Sequence, residues 1–151
     1  VEKRTSKRII PIPEYGLCPT HHQISVDDLL ESKEKHPKAE VVVHPECVPE
    51  IQDLADHIAS TSGMVRYCIE AEKEEFLIGT EVGLIYRLQK ETKTQGKKFY
   101  PISESAVCPQ MEMHTLTKVE KALEFEKPLV LVQRELAKEA WRAIERMLQI
   151  S

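Results

Sequence analysis

The sequence predicts an α/β fold built from parallel βαβ units, and three observations carry that prediction. Short apolar strands alternate with helical stretches along most of the chain, the pattern that parallel crossover units produce. The 151 residues, 41% hydrophobic and 30% charged, hold enough apolar material for one core and no run long enough to span a bilayer. Past Cys108 the alternation stops and helical periodicity alone continues, so a helical carboxyl-terminal tail follows the α/β part.

Each element has its own justification. Arg8 to Pro13 reads as a short buried strand with no element before it to lie against, in a chain whose first residue is Val. Ser25 to His36 reads as a helix, with Ser25 as cap, Asp28 at the third position to complete a capping box, and Pro37 as terminator. Glu40 to His44 is an apolar strand. Pro49 sits at its preferred first-turn position and opens a helix through about His57. Thr61 to Glu70 is a helix, Glu75 to Gly79 a strand, Thr80 to Lys90 a helix and Lys98 to Pro101 a strand. The lysine-rich stretch from Lys90 to Lys98 lacks interleaved aromatics and reads as a solvated connector. Thr115 to Glu124 and Gln133 to Gln149 are the tail helices, the second with Leu136, Ala140, Ala143, Ile144 and Met147 along one side.

Charge and cysteine usage exclude several function classes. Twenty-one Lys and Arg against twenty-five Asp and Glu leave a net charge of -4, so no overall basic field draws the chain to nucleic acid or anionic lipid. The start of the chain lacks the apolar stretch of a signal peptide, and a cytoplasmic address is expected. Four cysteines without a CxxC pair argue against a zinc ribbon, a thioredoxin-type pair or a disulfide scaffold. Cys68 fits an inert buried position inside an apolar helix. Cys18 and Cys108 do not: each is followed by proline, which holds the backbone extended or turning and keeps the thiol at a loop. Cys-Pro is also a recurrent setting for an iron-sulfur ligand.

In open α/β sheets the ligand lies beyond the carboxyl ends of the strands, so the residues at strand exits matter most. After the first strand come Cys18, Thr20, His21 and His22; after Val41–Val43 come His44, Pro45, Glu46 and Cys47. Ser60-Thr61-Ser62-Gly63 opens a helix, where hydroxyls and free N–H groups suit an anion as well as a plain cap. Gly79-Thr80-Glu81 opens another, and Cys108-Pro109-Gln110-Met111 follows the last strand. His44 and Glu46, leaving a strand through a proline, form a candidate acid-base pair.

These motifs, Gly16-Leu17-Cys18-Pro19-Thr20-His21, His44-Pro45-Glu46-Cys47, Ser60-Thr61-Ser62-Gly63-Met64, Ile78-Gly79-Thr80-Glu81 and Cys108-Pro109-Gln110-Met111, resemble in order and spacing the second and third thirds of the quinolinate synthase family. The resemblance implies a fold of three similar α/β domains around a pseudo-three-fold axis, each giving one cysteine to a central [4Fe–4S] cluster. It implies that Cys18 and Cys108 are two of those ligands and that Cys47 is not. It makes His44 and Glu46 catalytic and substrate-binding, with Glu46 the candidate general base. Thr61 becomes a substrate-binding hydroxyl, and Pro45, Ser62, His21 and Met111 become further substrate-binding candidates. The implied enzyme is a transferase that condenses iminoaspartate with dihydroxyacetone phosphate, releasing phosphate and water, to form quinolinate for NAD biosynthesis. The open iron of a three-thiolate cluster would act there as a Lewis acid.

The resemblance also implies an incomplete fold. Residues 1–22 match the end of the family's second domain, 23–108 the third α/β domain, and 109–151 a helical segment that packs on the first domain. The third cluster cysteine is not among these residues. The expectation is therefore a fragment or one half of a split enzyme, inactive alone and completed by the missing amino-terminal portion or a companion chain. Two other function classes fit the same residues: another iron-sulfur hydro-lyase, and a non-catalytic α/β binding remnant.

Overall fold

The computed structural model describes Ser6 and residues 8–10, 18–93 and 95–150. Two compact units divide the chain, Val1–Pro109 and Gln110–Ser151.

The first unit is a parallel α/β sandwich. A 3₁₀ turn, His21–Gln23, precedes helix α1, Val26–Lys35. The capping box forms as the sequence predicts: the Asp28 N–H donates to Ser25 Oγ at 3.0 Å and the Ser25 N–H donates to Asp28 Oδ2 at 3.2 Å. Strand β1 is Glu40–Val43, helix α2 Pro49–Asp53, strand β2 His57–Ile58 and helix α3 Thr61–Glu70. Strand β3, Glu75–Gly79, helix α4, Leu84–Glu91, and strand β4, Lys98–Pro101, complete the unit.

The four strands lie in the order β2-β1-β3-β4, all parallel. Successive side chains of a strand point to opposite faces, and the core divides accordingly. Val41, Val43 and Leu77 pack with Leu29 of α1 and Ile51 of α2 on one face. Val42, Phe76 and Ile78 pack with Met64, Val65 and Cys68 of α3 and Leu84 and Leu88 of α4 on the other. Both faces of the sheet are covered, which is why these strands read as continuous apolar runs.

The order has a functional consequence. From β1 the chain moves outward to β2, then returns across β1 to place β3 on its other side. The carboxyl ends of β1 and β3 therefore flank the point where the winding reverses, the usual location of a ligand crevice in such sheets. Gly79 ends β3 there, opposite Val43. A Cβ at Gly79 would meet Val43 Cγ1 at 2.7 Å and Ile102 Cδ1 at 3.1 Å, so only glycine lets the two strand ends close up.

Three elements differ from expectation. Helix α2 stops at Asp53 rather than near His57, and His57–Ile58 is an edge strand. Asp56 makes the change: its N–H donates to the Val41 carbonyl at 2.9 Å and its carboxylate accepts the Val41 N–H at 2.8 Å, docking the chain beside β1. Helix α4 begins at Leu84, not Thr80, because Glu81 turns back to accept the Gly83 N–H at 2.8 Å. Of the strand expected over Arg8 to Pro13, residues Arg8–Ile10 are outside any strand and Ile10 is 68% exposed; Pro11 to Pro13 lie outside the described residues.

The second unit is helical. A short α5, Pro109–Glu112, starts at the boundary, followed by α6, Leu116–Phe125, and α7, Arg134–Ile150. Thr115 caps α6, its Oγ1 accepting the Lys118 N–H at 3.3 Å, and Glu126 ends it in the left-handed region at φ 51°. Neither α6 nor α7 buries a residue.

Candidate functional site

The exits of β1 and β3 build the site. Past Val43, the His44 N–H still donates to the Gly79 carbonyl at 2.9 Å, extending the ladder by one bond. The chain then turns at Pro45 and Glu46, and the Cys47 N–H returns to the His44 carbonyl at 3.0 Å. Gln52 of α2 fixes this turn from below, donating through Nε2 to the carbonyls of Pro45 at 3.0 Å and Cys47 at 2.6 Å. Within the turn, the Glu46 N–H donates to His44 Nδ1 at 3.3 Å. His44 Nδ1 is thus an acceptor, and the neutral ring carries its proton on Nε2.

His21 enters from the 3₁₀ turn and lies flat against His44, ring centroids 4.3 Å apart and planes 10° from parallel. Its Nε2 meets the hydroxyl of Thr80 at 2.9 Å, a buried contact to the residue just past β3. Its Nδ1 is buried, makes no hydrogen bond and faces Glu46 Oε2 at 3.3 Å. The same carboxylate oxygen lies 3.5 Å from His44 Nδ1. Glu46 remains half-exposed, at 53%, whereas the His21 side chain is only 9% exposed. Cys18, half-buried ahead of the turn, brings its sulfur in: Cys18, His21 and Glu46 each present a ligand atom within 4.8 Å of the other two.

Electrostatics keep both imidazoles neutral near pH 7. Burial lowers the pKa of His21, His44 lowers it further, and Glu46 opposes the shift. Burial also lowers that of His44, again against the pull of Glu46. Cys47 behaves differently from Cys18. Its thiol, pushed up to about 11 mainly by burial, donates to the Gly79 carbonyl at 3.3 Å and serves the strand junction. Two neutral rings beside a carboxylate can pass a proton, and the sulfur, nitrogen and oxygen donors together suit a transition-metal ion.

Of the residues singled out by sequence, Cys18, His21, His44, Pro45 and Glu46 therefore come together at one crevice. Thr61 and Ser62 are exposed at the start of α3, following β2, where the cap residue Ser60 makes no side-chain capping bond. Cys108 is half-buried beyond β4, and the segment leading to it is tied to the β3–α4 loop by the Val82 N–H donating to the Ala106 carbonyl at 3.0 Å. Met111 is exposed in the second unit. Sequence reasoning placed Thr80 at a strand exit without giving it a role in the site, and missed Gln52. Thr80 had a readable signal, a small hydroxyl at a strand exit; Gln52 had none, because only the turn's geometry shows what its amide reaches.

A model of the family described as quinolinate synthetase A protein matches residues 1–149. The quinolinate synthase of Methanocaldococcus jannaschii is 49% identical over 152 residues, covering 99% of this chain and 50% of the relative. That of Methanothermobacter thermautotrophicus is 47% identical over 151 residues, 100% of this chain and 49% of the relative. That of Thermodesulfovibrio yellowstonii is 49% identical over 135 residues, 89% of this chain and 44% of the relative. The chain thus spans about half the length of the curated relatives it matches. Matched along almost its whole length by the family model, and with nearly half its residues shared with named members, the chain belongs to the quinolinate synthetase A family.

Proposed function

We propose that this chain supplies part of a quinolinate synthase active site, acting in the condensation of iminoaspartate with dihydroxyacetone phosphate for NAD biosynthesis. The observation that carries the reading is the convergence of His21, His44 and Glu46 beside Cys18 at the point where the sheet winding reverses. Glu46 is the general base: it is the accessible carboxylate, within reach of two neutral imidazoles that can relay its proton. His44 offers a donor through Nε2 to a substrate carbonyl or carboxylate, and Pro45 shapes the turn that aims both. Thr61 and Ser62, with the N–H groups opening α3, receive the anionic end of a substrate. His21 and Met111 are further substrate contacts.

The donor chemistry fits a [4Fe–4S] cluster at Cys18 and Cys108. Both thiols are half-buried beyond the strand ends, whereas the Cys47 and Cys68 thiols are buried and pushed up to about 11 and about 12. When bound, the cluster supplies a Lewis-acidic iron that polarises a substrate oxygen. Its third thiolate comes from an amino-terminal portion or a companion chain. In this reading 1–22 closes the family's second domain, 23–108 forms the third, and 109–151 packs against the first.

The test is complementation. The chain is reconstituted anaerobically with iron and sulfide, alone and with the first half of the M. jannaschii enzyme, and quinolinate is measured. Activity is expected only in the mixture, and Glu46→Gln is expected to lower kcat there by roughly 10²–10⁴-fold. Quinolinate formed by the chain alone, or a mixture indifferent to Glu46→Gln, overturns the proposal.

A further inference from the structure

We propose that Thr80 is a positioning residue for the base of this crevice: its hydroxyl donates to His21 Nε2, which keeps the ring's proton on Nδ1 and aims it at the carboxylate of Glu46. This role rests on the reading of Glu46 as general base. Thr80 itself is given no substrate contact and acts through His21 alone.

Placement is the first support. The His44 N–H donates to the Gly79 carbonyl at 2.9 Å, which sets the exits of β1 and β3 side by side, and Thr80 is the next residue of the chain. It is a buried polar residue, 5% exposed. His21 stacks on His44 with ring centroids 4.3 Å apart, and its Nε2 meets Thr80 Oγ1 at 2.9 Å. One contact fixes the face of the ring and the other its edge. Together they set the rotation of the ring and so the direction of Nδ1.

The second support is what Nδ1 faces. It is buried and makes no hydrogen bond, with Glu46 Oε2 at 3.3 Å. Cys18 Sγ completes the group within 4.8 Å. Neither a carboxylate nor a thiolate has a proton to give, so a lone pair on Nδ1 would be repelled by both, whereas an N–H there is drawn to them. Burial and the neighbouring His44 keep the ring neutral near pH 7, so it has one proton to place. With that proton on Nδ1, Nε2 is an acceptor, and the group it meets must donate. A threonine hydroxyl does so, and Thr80 is the residue in that position. Glu46 is half-exposed, so rotation of its side chain closes the approach to Nδ1 into a bond, as catalytic hydrogen bonds tighten when substrate arrives.

The two oxygens of Glu46 then have separate tasks. His21 Nδ1–H holds Oε2, and Oε1 is left for the substrate proton. Of the two rings beside Glu46, His21 is the donor, and a proton collected by Glu46 leaves by way of His44, whose Nδ1 is an acceptor. A reacting group displaced by about 1 Å can lose roughly 10²-fold in rate, so the hydroxyl that fixes the ring matters to the base.

Two measurements test this role, one of them independent of activity. In the full chain with isotope-labelled histidine, nitrogen–proton correlation spectra report the tautomer of each ring at a pH where the rings are neutral, and the signal lost in His21→Gln identifies His21. Wild type and Thr80→Ser are expected to carry the His21 proton on Nδ1. Thr80→Val keeps the shape, removes the hydroxyl and is expected to show a mixture of tautomers. A wild-type His21 protonated on Nε2, or a tautomer unchanged in Thr80→Val, overturns the role. In the anaerobically reconstituted mixture with the first half of the M. jannaschii enzyme, Thr80→Val is expected to lower kcat by roughly 10²-fold with KM unchanged. Thr80→Ser is expected to recover the rate with the hydroxyl. A change confined to KM, or Thr80→Ser as slow as Thr80→Val, overturns the role, since a purely packing threonine would miss the methyl group that serine lacks. Circular dichroism shows whether each variant folds, and Thr80→Ala serves if Thr80→Val does not. A mixture inactive even with wild type defeats the synthase reading, and the tautomer, measured on the chain alone, still decides whether Thr80 orients His21.

Discussion

At the scale of single residues, the crevice makes a testable demand on pH. His21 and His44 both have pKa values held below the ordinary 6.5, principally by burial. In the unfolded chain these rings take up protons near pH 6.5; in the folded chain they resist until the pH is lower. The unfolded state therefore binds more protons in the interval just below 6.5, and stability falls as pH falls through it. The contribution is fully present above 6.5. Urea midpoints are expected to drop between pH 7.5 and 5.5, and the His44→Gln variant to show a shallower drop; equal slopes would mean that His44 is not buried as described. His44 and Glu46 were legible in sequence because a strand that ends in a proline turn must throw its next side chains outward. The depth of His21 was not, since it arises from Thr80, fifty-nine positions away in sequence.

At the scale of elements, β1, β3, β4 and most helices were legible because short apolar runs and terminal proline or serine signals act locally. The α2–β2 boundary was not. Nothing local distinguishes Asp56 as a surrogate strand partner for Val41 until β1 lies beside it. A comparable long-range device holds the end of α3. The last carbonyls of a helix lack intrahelical donors, and here Lys97, just before β4, supplies three bonds with one ammonium: to Cys68 at 2.7 Å, Ile69 at 3.2 Å and Ala71 at 2.5 Å. The ammonium also lies 5.7 Å from the centre of the Phe76 ring. Lys97→Met keeps most of the stem and removes the donors. Charged hydrogen bonds of this kind are worth about 1.5–3 kcal/mol in net stability, and a loss of that order is expected in urea unfolding. A change within about 0.5 kcal/mol, the ordinary range for surface substitutions, would show that water replaces the lysine at no cost. Tyr67 ties the same helix to the sheet, its hydroxyl donating to Glu40 while its ring stacks on His57.

At the scale of the whole chain, the two units differ in kind, and that difference predicts how each behaves when separated. Every buried hydrophobic residue of the described core lies between Ile24 and Ala106, so the sandwich closes its interior without the second unit. Among the described residues of the second unit none is buried: Leu116, Leu123, Leu136, Met147 and Trp141, the single tryptophan, are all exposed, Trp141 at 58%. An amphipathic helix owes most of its stability to a surface that covers its apolar face, and helices shorter than about 12–15 residues are marginal without one. Helix α6, with ten residues, falls below that length. A chain ending at Pro109 is accordingly expected to unfold cooperatively at a urea midpoint close to that of the full chain. It is also expected to bind markedly less of a hydrophobic dye, since exposed apolar patches attract such dyes and partners alike. In the full chain, Trp141 is expected to emit as a water-exposed indole and to shift blue when the amino-terminal half of a relative is added. A Pro109-terminated chain that fails to fold would place part of the sandwich's stability in the tail. Emission that is already blue in the full chain alone would show the apolar face of α7 covered before any partner arrives.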